Sequence, residues 1–259
     1  MSHPIRVGAQ CRPQHSAFAP MRDAWLRAEE AGLDALFTWD HFYPLFGAPD
    51  GEHFECWTLL GAMAEVTEKP QIGALVTCNA YRNPDLLADM ARTVDHISGG
   101  RLVLGIGAGW FRRDFDQYGY EFGTAPDRLR ELGQALPRIR SRLARLNPGP
   151  IGPLPIMIGG TGPKVTLRLT AEHASIWHGF GSPEQWGASN RILDEWCAKL
   201  GRDPSEIERS VTVRGDNFRR LDDYVAAGAT FLVAGLDGPE FDLSELRQLV
   251  AFRDAQEAH

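Results

Sequence analysis

Short apolar runs alternate with helix-like segments from one end of this chain to the other. No other feature constrains the fold as strongly. The runs fall over 5–11, 35–41, 71–78, 101–106, 154–158, 175–180, 207–214 and 230–234. Each has strand length and is followed by a stretch with helical signals. Parallel strands need a crossover between them, and a helix supplies it, so strict alternation implies a parallel sheet with helices outside. Eight such units in 259 residues suit a closed (β/α)8 TIM barrel, which uses about 250 residues, better than an open doubly wound sheet. No linker breaks the pattern, so residues 1–259 read as a single domain.

The helices carry their own start and stop signals. Pro20 opens the first, with Met21, Trp25 and Ala28 on one face, and Gly32 stops it. The second covers 56–66. Asn83 and Pro84 begin the third as N-cap and first helical residue; Leu87, Met90, Val94 and Ile97 then share a face, and Gly99-Gly100 end it. The fourth carries Leu129, Leu132, Leu136, Ile139, Leu143 and Leu146, with Pro137 expected to kink or split it. Later helices are expected over 163–174, 183–200, 216–227 and 243–255. Arg128, Arg130, Arg138, Arg140, Arg142 and Arg145 flank the leucine stripe as a solvated face. Trp25, Trp57, Trp186 and Trp196 fall in helices and read as packing.

Barrels of this kind place their chemistry in the loops that follow the strands. Three such loops stand out. After the second strand comes Trp39-Asp40-His41-Phe42. His41 there has two readings, a proton or hydrogen-bond donor to a ligand, or a structural residue held by Asp40 or a carbonyl. After the fourth strand comes Gly105-Ile106-Gly107-Ala108-Gly109-Trp110, where glycines either admit a ligand or fill a tight barrel end. This is not the dinucleotide fingerprint, because the spacing is wrong. After the fifth strand, Gly159-Gly160-Thr161-Gly162 runs toward Pro163 and Lys164, which are expected in a helix's first turn. Backbone N–H groups, the positive helix end and a lysine together favour an anion site over a plain glycine turn capped by Thr161.

Charge and cysteine usage narrow the partners. With 34 acidic and 27 basic residues the formal charge is −7, which argues against nucleic acid. Cys11, Cys56, Cys78 and Cys197 form no CxxC pair and no zinc-ligand spacing, so no metal site is expected and the thiols read as reduced. The first residues lack signal-peptide character and no apolar run is long enough for a bilayer, so a cytoplasmic location and no membrane partner are expected.

Four segments together resemble the luciferase-like monooxygenase family, and within it the branch that uses the deazaflavin F420. They are Trp39-Asp40-His41-Phe42; Leu75-Val76-Thr77-Cys78-Asn79-Ala80-Tyr81-Arg82-Asn83-Pro84; the stretch from Val94-Asp95-His96 through Arg101 to Gly107-Ala108-Gly109-Trp110; and Pro155-Ile156-Met157-Ile158-Gly159-Gly160. The resemblance implies a tricyclic ring across the barrel mouth, with a non-prolyl cis peptide near Val76-Thr77 behind it. It implies a phosphate cradled by the Gly107-Ala108-Gly109 and Gly159-Gly160 backbones, with Val76, Thr77 and Asn79 also at the cofactor. His41 would face the reactive part of the ring as the catalytic residue. Two departures accompany it. Leu45 and Trp110 stand where related sugar and alcohol dehydrogenases carry a tryptophan and a glutamate, which argues against secondary alcohol oxidation. The joint over 147–154 is shorter than the family's insertion before the fifth strand, which implies a shallow roof.

The activity implied is hydride transfer between F420 and a small organic substrate. The alternatives are an FMN-dependent monooxygenase and a cofactor-binding protein with little catalysis. Self-association as a homodimer stays open.

Overall fold

The computed structural model describes residues 4–258. Its strands are β1 Arg6–Cys11, β2 Ala35–Thr38, β3 Gln71–Ala74, β4 Thr77–Cys78, β5 Leu102–Gly107, β6 Ile156–Gly159, β7 Ile176–Gly179, β8 Glu208–Thr212 and β9 Phe231–Leu236. Every pairing between them is parallel, and β3 also pairs with β5, which closes the sheet. The stretch 71–78, read as one strand, is two: β3 pairs with β2 and β5, and β4 with β5 alone. Counting that interrupted stave once gives an eight-stranded (β/α)8 barrel.

The helices are α1 Phe18–Glu30, α2 Cys56–Val66, α3 Pro84–Ile97, α4 Arg112–Tyr118, α5 Ala125–Leu143, α6 Thr166–His173, α7 Pro183–Leu200, α8 Leu221–Ala226 and α9 Ser244–Glu257. Their ends follow from local chemistry. Asn83 accepts from the Asp85 N–H ahead of Pro84, and Ser182 forms a capping box with Gln185. The short α4 went unread. On α3, Leu87 and Val94 are buried but Ile97 is 45% exposed, because Ala88, Ala91 and Asp95 complete the inward face instead.

Pro137 does not split α5, which runs through it unbroken. An internal proline costs about 3 kcal/mol. Leu136 and Ile139 on either side of it are fully buried, and each side chain contributes about 1.5–3 kcal/mol. Burial therefore outweighs the local penalty. The arginines of this helix are not uniformly solvated either: Arg128 is buried, with its guanidinium 3.9 Å from the Phe122 ring centroid.

Two apolar layers result. One fills the barrel with Ala35, Phe37, Val103, Met157, Ile176, Phe231 and Val233. The other lies between the strands and the helices, and contains Trp25, Trp57 and Trp186; Trp196 is only partly buried and donates to the Pro163 carbonyl. At the N-terminal end, Arg6 pairs with Glu208 at 2.9 Å and bonds Gln71 at 2.6 Å.

The joint between α5 and β6 also lies at that end. Asp95 accepts from the Ile151 and Gly152 N–H groups, and Gly152 packs on Gly100, just before β5. The joint is short, as read, but it cannot set the depth of a roof at the other end. A helix-to-strand connection must return the chain to where a strand begins. No described helix is long and apolar enough to cross a membrane.

Candidate active site

At the C-terminal ends of the strands lies a cleft of about 790 Å³. Its lining brings together His41, Val76, Thr77, Gly107, Ala108, Gly109, Gly159 and Gly160. Asn79 is not in the lining; it is buried in the turn after β4 with its Oδ1 unpartnered. Lys164 is exposed and also outside the lining. The helix read over 163–174 starts only at Thr166, so Pro163 and Lys164 belong to the preceding turn. The groups of this loop that could hold an anion are therefore the backbone and Thr166. The Thr161 and Gly162 N–H groups make no hydrogen bond among the described residues, and Thr166 lines the cleft.

The interrupted stave explains Gly105, Gly107 and Gly159. The Leu75–Val76 peptide is cis, one residue ahead of the expected position. Gln10 on β1 donates to the Leu75 carbonyl at 2.6 Å, and Trp57 on α2 donates to the Thr77 hydroxyl at 3.1 Å. Val76 thereby projects between β5 and β6. A Cβ on Gly107 would meet Val76 Cγ2 at 2.9 Å, and one on Gly159 would meet Cγ1 at 3.0 Å. A Cβ on Gly105 would come closer still, 1.9 Å from the Ala74 carbonyl oxygen. Gly160 is needed for a different reason, its φ of +128°.

His41 is anchored from behind, but not by Asp40. Its Nδ1 lies 2.7 Å from Oδ2 of Asp114 on α4. The same oxygen accepts from the Tyr81 hydroxyl at 2.9 Å, and Oδ1 accepts from the Phe42 N–H at 3.1 Å. The Asp114 side chain is wholly buried, whereas that of His41 is 12% exposed. With Nδ1 donating to the carboxylate, Nε2 is the atom left for the cleft. Trp39, Trp110 and Phe111 meet the imidazole edge to face, with centroids 5.5–5.8 Å away. Sequence reasoning missed Asp114. Its signal was an acidic residue just beyond the glycine-rich strand, four positions after the Trp110 that replaces the expected carboxylate.

Asp40 serves the frame instead. It accepts from the Cys78 N–H and from both Arg82 nitrogens at 2.5 and 2.9 Å, and Arg82 also bonds Glu55, the N-cap of α2. This network ties β2, the turn after β4 and α2 together beneath His41.

Other polar groups in the region are held neutral. Burial, reinforced by the Arg214 charge, pulls His178 down to about 3. Its ring bonds the Ser210 and Thr212 hydroxyls at 2.8 and 2.9 Å. His53 is lowered to about 4 by burial, then by the charge of His41, which suits it to accept from Trp39 Nε1 at 3.0 Å. Burial pushes the Cys78 thiol up to about 12, so it offers no thiolate nucleophile. Trp110 and Phe180, 63% and 55% exposed, stand in the lining as apolar faces open to a ligand.

Comparison with known proteins adds the following. The family described as luciferase-like monooxygenase matches residues 1–214. An F420-dependent glucose-6-phosphate dehydrogenase of Amycolatopsis mediterranei is 28% identical over 180 residues, 62% of this chain and 53% of that protein. One from Microbacterium testaceum is 26% identical over 235 residues, 83% of this chain and 69% of that protein. The matched region thus spans about half to two thirds of these relatives. An F420-dependent secondary alcohol dehydrogenase, solved with an F420-acetone adduct, superposes with a TM-score of 0.83 at 17% identity, covering 97% of this chain and 98% of that one. At that identity the likeness speaks for the fold alone.

Proposed function

This chain belongs to the luciferase-like monooxygenase family, and from that premise we propose that it is an F420-dependent oxidoreductase acting on a small organic substrate. The His41–Asp114 pair is the observation that carries the reading. It directs one imidazole nitrogen into a cleft walled by apolar rings and glycine backbone. The two curated relatives, both named for F420, support the choice of cofactor.

The residues fit such a cofactor. Gly107, Gly159 and Gly160 leave the wall at β5 and β6 without side chains, and the Thr161 and Gly162 N–H groups have no internal partner. These backbones, with Thr166, would hold a phosphate. Val76 and Thr77 would back the ring, and Trp110 and Phe180 would cover it. F420 supplies hydride chemistry when bound.

The protein's own part is to exclude water, align the reactants and move one proton. In its neutral form, with Nδ1 protonated toward Asp114, His41 accepts a proton at Nε2. In its charged form it donates one there. Asp114 fixes the ring and stabilises the imidazolium, the part a carboxylate takes behind a catalytic histidine. A carboxylate is thus present after all, behind the histidine rather than in the cleft, and alcohol oxidation returns as a candidate reaction.

Titration with F420 and with FMN, followed by quenching of tryptophan fluorescence, tests the cofactor. F420 should bind more tightly; FMN retained through purification, or equal affinities, would overturn the choice. His41→Ala tests catalysis. It should lower kcat by about 10²–10⁴-fold and leave F420 affinity nearly unchanged. A normal kcat would remove His41 from the chemistry.

A further inference from the structure

Two residues of the cleft lining carry a carboxylate or a guanidinium, Asp40 and Arg214. Asp40 is answered by Arg82 in a bidentate pair. Arg214 has neither an ion pair nor a side-chain hydrogen bond among the described residues. It lies just past the end of β8, beside Thr212 and Asn217 of the same lining.

The nearby charges do not pair with it. Arg12 holds Asp237 with both carboxylate oxygens, at 2.7 and 2.6 Å. At the ends of β1, β8 and β9 stand the Arg12 and Arg214 guanidiniums and the Asp237 carboxylate, and Glu245 adds a second carboxylate beside Arg12. Glu245 on α9 lies in the field of Arg12 and Asp237 rather than of Arg214. Arg214 is exposed along the cleft; desolvation by the wall, then the Arg12 charge, lowers its pKa, and Asp237 raises it. Arginine stays protonated at such a site. The cleft wall therefore carries an exposed guanidinium with no ion-pair partner among the described residues.

Its place separates it from the glycine loops. Around the barrel, β8 stands two strands from β6 and three from β5. A phosphate seated on the Gly107 and Gly159–Gly160 backbones is on another wall. On the other side, β8 stands three strands from β2, whose following loop carries His41.

We propose that the substrate of this cleft bears a carboxylate or phosphate, anchored by Arg214, with its reacting part turned toward His41. The inference rests on the oxidoreductase reading above and names its substrate class. Two oxygens of either group match the guanidinium fork, and charge-assisted bonds of this type are about twice as strong as neutral ones. The cofactor's own phosphate is the other source of such a group, and the test separates the two.

The experiment is calorimetric titration with two shape-matched pairs, benzoate against benzamide and phenylphosphonate against benzenesulfonamide. It is run on wild type, Arg214→Gln and Arg214→Lys, each with and without saturating F420. Wild type should bind at least one anion ten-fold or more tightly than its neutral partner, with and without F420. Arg214→Gln should bring that ratio near one, and Arg214→Lys should keep most of it. The advantage should shrink as salt rises. No anion binding by wild type, no preference, or a preference retained in Arg214→Gln would overturn the proposal. So would an advantage abolished by F420, together with a loss of F420 affinity in Arg214→Gln, which would give the site to the cofactor. If F420 fails to bind wild type while the anion preference stands and depends on Arg214, the cofactor reading falls and the anion site survives.

Discussion

Asp114→Asn isolates the role of the buried carboxylate. In wild type one oxygen accepts from His41 Nδ1 and from Tyr81, and the other accepts from the Phe42 N–H. Asparagine keeps the shape but offers one acceptor oxygen and one NH2. If the oxygen faces His41, the NH2 opposes the Phe42 N–H, and an unmet buried donor costs about 1–3 kcal/mol. If the NH2 faces His41, every group is satisfied provided the imidazole changes tautomer and Tyr81 turns its hydroxyl. Hydrogen-bond accounting therefore selects the second arrangement. It places the proton on Nε2, which then cannot accept one from a substrate. A step that needs His41 as a base should slow by about 10²–10⁴-fold. Stability should fall by only about 1–2 kcal/mol, since neutral bonds replace charge-assisted ones. Steady-state kinetics with F420, screening alcohols for the base role and quinones or activated enones for the reverse direction, measures the rate. Urea unfolding measures stability. The loss should lie in kcat, with KM and F420 affinity within about threefold, because Asp114 touches neither ligand. A kcat within threefold of wild type in a folded Asp114→Asn would refute the idea that Asp114 acts through the His41 tautomer.

Three other outcomes follow from the same structure. His178 and His53 have folded pKa values near 3 and 4, below an unfolded value of about 6.5. Unfolded chains therefore take up protons that the native state refuses, and stability falls as pH drops below about 6.5. Each group costs roughly 2 kcal/mol by pH 5, and His178→Gln should flatten the dependence of the urea midpoint between pH 7 and 5; an unchanged slope would contradict the assignment. Arg82→Met removes the partner of the buried Asp40 carboxylate and should cost about 3–5 kcal/mol, read by urea unfolding; a loss below 1 kcal/mol would show that Asp40 is not held as an ion. Gly105→Ala drives a methyl to 1.9 Å from a carbonyl oxygen, whereas Gly61 in α2 has open space around a Cβ. The first should prevent folding or cost several kcal/mol, and Gly61→Ala should stabilise by about 0.5–1 kcal/mol, as thermal melts would report.

The barrel was legible because its signals are local. Strand-length apolar runs and the caps at Asn83 and Ser182 act within a few residues, so α2 and α7 fall where their patterns predict. Loops were located by the rule that barrels work at strand ends, and the candidate residues other than Asn79 and the Pro163-Lys164 pair do line the cleft. Misreadings arose where a distant neighbour outweighed a local preference. Burial of Leu136 and Ile139 carries α5 through Pro137, and Arg128 goes inward because Phe122 and the Gly109 carbonyl receive it.

The partner of His41 shows the limit most clearly. Asp40 is its neighbour in sequence, yet successive residues project in different directions at a strand end. Asp40 meets Arg82, 42 residues away, while His41 meets Asp114, 73 residues away. By itself the sequence determined the alternating elements, their caps and the loops that hold chemistry, since each depends on a few adjacent residues. Only the tertiary structure decided which carboxylate backs the histidine, which glycines make room for Val76 and which arginine lines the cleft without an ion-pair partner among the described residues. Those are pairings across the closed barrel, set by which strand ends it brings side by side.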